Sequence, residues 1–88
     1  MNQETLLLES NAQLKLGNEA LEEAKTCLDS NKLSDLYQMA YIHFDEAEYY
    51  YQVWADSFQE GSPEYIEGMA LKRKSRGLRI KAKNLRDS

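Results

Sequence analysis

The chain has 88 residues, 42% of them apolar, and a formal net charge of −4. That length gives room for one core and no second domain, and the apolar share suffices to fold it. One proline, four glycines and one cysteine disfavour a turn-rich β-sandwich and exclude an intramolecular disulfide.

The first predicted helix covers about residues 4–28. Leu7, Leu14, Leu21 and Leu28 recur every seven residues, with the small residues Ser10, Gly17 and Ala24 three positions after the first three. Leucine alternating with small side chains makes a stripe that a neighbouring helix can approach closely. Cys27 falls near this stripe and reads as a buried structural thiol. Asp29-Ser30-Asn31-Lys32 then reads as a turn.

The second predicted helix covers about residues 35–60, with Ser34 as N-cap and Asp35 in its first turn. Tyr37, Phe44, Tyr51 and Phe58 form one heptad stripe, and Leu33, Ala40, Ala47 and Trp54 a second beside it. Met39, Ile42, Tyr49 and Val53 widen the apolar arc, while Gln38, Asp45, Gln52 and Gln59 mark a wet side. So wide an arc is more than one neighbouring helix covers. This helix is therefore either central or also part of an interface.

Gly61 closes that helix, and Ser62-Pro63-Glu64 reads as N-cap, first-turn proline and first-turn acid. The third predicted helix covers about residues 63–86, with Leu71, Leu78 and Leu85 seven apart and Ser75 and Ala82 between them. The short connections favour an antiparallel three-helix bundle in an all-α domain. Its two leucine-and-small stripes would flank the bulky aromatic helix.

The closing stretch 77–85 is similar to the end of the last helix of the microtubule-interacting-and-trafficking domain. Leu16-Gly17-Asn18 and Ala47-Glu48-Tyr49-Tyr50 resemble segments of tetratricopeptide helices. Neither resemblance keeps its spacing across the whole chain. The first implies docking of a partner's short helix in a groove between helices, and neither assigns a residue.

Charge is segregated along the chain. Residues 1–68 hold fourteen acids against three bases, and residues 69–88 eight bases against one acid. The last helix is thus basic and the first two acidic. Two readings follow. Lys72, Arg73, Arg76, Arg79, Lys83 and Arg86 could bind nucleic-acid phosphates, or they could neutralise the neighbouring acidic helix through edge ion pairs.

Chemistry has little to work with. His43 and Glu46 stand three apart, but a carboxylate-bridged di-metal bundle needs two Glu-x-x-His units in the opposite order, so His43 reads as a core-edge or surface residue. No nucleophile constellation, phosphate-binding loop or zinc spacing is present. The expectation is a protein that is no enzyme and holds no metal or cofactor.

Interaction is the expected role. Tyr65, Met69 and Ile80 lie off the Leu71/Leu78/Leu85 stripe among Arg73, Arg76, Arg79 and Lys83, and the second helix carries surplus aromatics at Tyr49 and Tyr50. Tyrosine, methionine and arginine are enriched at interfaces. The expected function is that of a helical protein–protein interaction module: an adaptor, a small regulator, or an inhibitor of the kind that phages and mobile elements encode. Nucleic-acid binding through the third helix is the alternative. A homodimer is one form such an interaction could take, and an acidic surface imitating nucleic acid is another. No apolar run reaches the roughly 18–20 residues a bilayer span needs, and the N-terminus has no basic leader. The expected location is cytoplasmic, with no membrane contact.

Overall fold

A computed structural model describes residues 2–88. It contains three helices, α1 (Gln3–Ala24), α2 (Ser30–Asp56) and α3 (Pro63–Asp87), and no strand among the described residues. They form an all-α antiparallel three-helix bundle. α2 is its centre: α1 and α3 each pack along it, giving a slab of 46 × 21 × 15 Å.

Each helix start is fixed by a side chain that takes up otherwise unpaired backbone N–H groups. Asn2 Oδ1 accepts from Thr5 N at 2.8 Å. Ser62 Oγ accepts from Tyr65 N at 3.2 Å, with Pro63 at the first helical position. The cap of α2 is Asp29 rather than Ser34, its Oδ1 accepting from Asn31 N at 2.9 Å and Lys32 N at 3.3 Å. The stretch expected to be a turn thus becomes the first turn of α2, because an aspartate that opens a turn can equally cap a helix.

The helix ends also differ from expectation. α1 stops at Ala24, not Leu28. Thr26 N bonds to Glu23 O at 3.3 Å and Cys27 N to Ala24 O at 3.2 Å, a tightening three-residue pattern. Leu28 is 100% exposed, so nothing there rewards another helical turn. Cys27, expected to be buried in the α1 stripe, instead lies half-exposed in this connection, with its Sγ 3.4 Å from Asp29 O. α2 ends at Asp56, four residues before the expected end. Ser57 Oγ donates to Trp54 O at 2.6 Å and Phe58 N to Ala55 O at 3.0 Å. Gly61 has φ 87° and turns the chain into the Ser62 cap, in the left-handed region where glycine is least strained.

The seam is made by the small residues, not the leucines. On α1 the buried positions are Leu6, Ser10, Gly17, Ala20 and Ala24; on α3 they are Gly68, Ser75 and Ala82. They face the large side chains of α2, where Phe44 and Tyr51 are completely buried and Leu36, Trp54 and three alanines, Ala40, Ala47 and Ala55, are buried around them. Apart from the exposed Leu28, the leucines predicted to form the stripes stand on the shoulders, half-buried; Leu14, Leu21 and Leu78 pack against the core from either side. The physical reason is volume: helices carrying leucine at the seam could not close onto Phe44 and Tyr51. Ser10 and Ser75 are tolerated there because each donates its hydroxyl to the carbonyl four residues back, at 2.7 Å and 2.9 Å.

Candidate interaction surface

The α2–α3 contact is built from charge outside and small residues inside. Glu48, largely buried, accepts from Arg76 Nε and Arg79 Nε, each at 3.1 Å. Arg79 also lies 3.8 Å from Asp45. Burial works against the Arg79 charge, but a hydrogen bond with Tyr41 and the carboxylates of Glu48 and Asp45 outweigh it and hold the guanidinium more firmly protonated than usual. Further along, Arg86 donates to Gln38 and its guanidinium carbon sits 5.1 Å from the Tyr41 ring centroid.

These contacts change the reading of the basic helix. Arg76 and Arg79 are held by α2, which is what neutralisation of the acidic neighbour requires. Lys72, Arg73, Lys74, Lys81 and Lys83 make no ion pair among the described residues, so Arg73 and Lys83 are the expected interaction cations left open.

The same contacts set the register. Glu48 lies opposite Arg76 and Arg79, and Gln38 opposite Arg86. In antiparallel helices this places Ile42 level with the 80–83 turn and Tyr49 level with the 72–76 turn. Ile42 and Ile80 are each 48% exposed and Tyr49 58%. Helical geometry turns Ile42 and Tyr49 to the side of α2 away from the core and toward α3, and Met69, Arg76 and Ile80 to the matching side of α3. Asp45, Glu48, Tyr49, Gln52, Val53 and Lys72 line an open groove of about 270 Å³ there. One face of the bundle therefore carries exposed apolar groups on both helices, framed by acids on α2 and bases on α3.

The expected residues divide accordingly. Tyr49, Met69, Arg73, Arg76, Ile80 and Lys83 share this face, with Tyr65 half-buried at its end. Arg79 lies beneath it as a structural ion-pair partner. Tyr50 turns toward the α1 side, its ring 5.5 Å from that of Tyr49 and tilted by 56°. Asp45 and Gln52 were expected only on the wet side of α2, Lys72 only as a phosphate ligand or an edge ion-pair cation, and Ile42 and Val53 only as part of the wide α2 apolar arc, none of them as a named residue of a protein interface. The signal for Ile42 and Val53 was the width of the α2 apolar arc, once its buried half was subtracted; Asp45, Gln52 and Lys72 join the face through the register between α2 and α3.

Elsewhere the polar groups hold the helices together. His43 Nδ1 bonds to Gln13 Oε1 at 2.7 Å, and Gln13 Nε2 donates to Glu9 Oε1 at 2.9 Å. Tyr51 donates to Asn11 Oδ1 at 2.6 Å; burial, followed by the nearby Glu67 charge, pushes its pKa up. Among the described residues no three His, Cys, Asp or Glu side chains gather as a metal ion would need. Among them, too, no helix is long and apolar enough to cross a membrane.

The fold is a helical bundle whose α2–α3 face mixes exposed apolar and charged groups, and comparison adds no relative. No protein-family model, no curated protein and no solved structure matches the chain.

Proposed function

We propose that this chain is a non-enzymatic protein–protein interaction module, of the adaptor, regulator or inhibitor kind, acting through the α2–α3 face. The observation that carries the reading is the shared exposure of Ile42, Tyr49 and Ile80 on one side of a bundle whose core is otherwise complete. Burying such side chains against a partner removes apolar surface from water at about 25 cal/mol per Å², and the surrounding charges would select the partner.

Nucleic-acid binding by α3 is the weaker alternative, because Glu48 and Asp45 already engage two of the arginines it needs and the acids of α2 line the same face. The test is comparative capture. Tagged wild-type protein and an Ile42→Glu/Tyr49→Glu variant, matched for helicity and melting temperature, are used to retain proteins from the source cell. Proteins held by the wild type and lost by the variant support the reading. An undiminished set on the variant overturns it.

A further inference from the structure

We propose that the α2–α3 face is occupied by a second copy of this chain, in a two-fold dimer that lays α2 of each protomer on α3 of the other. This rests on the reading of that face as a docking surface and names its occupant. Charge points to that occupant. On this face α2 presents Asp45 and Asp56, with Glu46 at the rim; α3 presents Lys72, Arg73 and Lys83, which have no ion-pair partner among the described residues, and Arg76, which Glu48 holds. One helix of the face thus complements the other, so the surface complements itself, as an isologous interface must.

The two possible face-to-face two-folds differ in sign. An axis across the helices stacks α2 on α2 and sets acid against acid. An axis along the groove between α2 and α3 stacks α2 on the partner's α3 and sets acid against base. The second also keeps every residue at its own level along the bundle. The register established by Glu48 with Arg76 and Arg79 then brings Ile42 to the partner's Ile80, Asp45 to the partner's Lys83, and Tyr49 to the partner's Arg73. The apolar pair is buried, an exposed cation gains a carboxylate, and a guanidinium is offered to an aromatic ring. A stable dimer buries about 800 Å² on each partner, so the contact would have to run along most of the 46 Å length of the bundle.

Sedimentation equilibrium over a concentration series tests the proposal with the wild type, two single variants and their mixture, each checked for helicity. The wild type is expected to show a monomer–dimer equilibrium. Asp45→Lys alone and Lys83→Glu alone are expected to shift it at least tenfold toward monomer. An equimolar mixture of the two variants is expected to recover the dimer. In the mixed dimer the lysine introduced in one chain meets the glutamate introduced in the other, and the symmetry-related contact keeps its native Asp45 and Lys83. A wild type that stays monomeric overturns the dimer. If the Ile42→Glu/Tyr49→Glu variant of that monomer still loses captured proteins, the docking reading stands without self-association. A dimer that neither charge substitution weakens places the interface elsewhere and overturns the proposal, as does a mixture that fails to recover.

Discussion

Gly17 of α1 lies against the ring of Phe44 in α2 so closely that a Cβ at position 17 would fall 2.5 Å from Phe44 Cε1. The ring is completely buried and has nowhere to move. Gly17→Ala is therefore expected to destabilise the protein by about 1–3 kcal/mol, although alanine is the better helix former. Gly77 is the internal control, since a Cβ there would meet nothing within 4 Å. Gly77→Ala should stabilise by about 0.5–1 kcal/mol. Urea denaturation of both variants reads the two opposite signs.

Tyr51 gives the fold a pH dependence. Its phenol is buried beside Asn11, and its pKa lies above the ordinary tyrosine value of 10.0 because burial, and then Glu67, disfavour the phenolate. A raised folded-state pKa means that its contribution is fully present below the ordinary tyrosine range and is lost as pH rises through the folded value. Stability should thus fall on the alkaline side of about pH 10. Tyr51→Phe should cost about 1 kcal/mol at neutral pH and flatten the alkaline fall, measured as denaturation midpoints across pH.

The Glu48 carboxylate joins two arginines of α3 at 3.1 Å. Glu48→Gln keeps the shape and removes the charge, leaving Arg79 partly buried and short of a partner. A loss of about 1–2 kcal/mol is expected, discounted because Arg76 is half in solvent. The variant should also lose less stability than the wild type when salt is raised. Denaturation at low and high ionic strength measures both.

Asp29 caps α2 with two backbone hydrogen bonds. Asp29→Ala is expected to lower stability by about 1 kcal/mol, while Ser34→Ala, inside the helix, should change it by only a few tenths. Thermal melts followed by circular dichroism distinguish the two.

The helices were legible because their heptads are regular and the Ser62-Pro63 start is unambiguous. The seam was legible only in part. Seven-residue spacing reveals that Leu14 and Gly17 lie near a neighbour, but not which of them faces it; that is decided by the bulk of Phe44 and Tyr51 on another helix. Asp29 shows a related limit, since its side chain can open a turn or a helix and the difference lies in the residues after it. For the candidate site, Tyr49, Met69, Arg73, Ile80 and Lys83 stood out by residue type. The capture of Arg76 and Arg79 by Glu48 depends on the register between α2 and α3, which periodicity within either helix does not contain. The same holds for Ile42: its exposure follows from where α1 and α3 stop covering α2.

An amide NMR map of the isotopically labelled protein, recorded as association is driven by concentration or by a captured partner, tests the α2–α3 face most directly. Shift and line-width changes are expected to gather on residues 42–53 of α2 and 65–83 of α3, with α1 quiet. Changes centred instead on Leu8, Leu16 and Met39, on the α1 side of the bundle, or no changes at all, would contradict a docking role for that face.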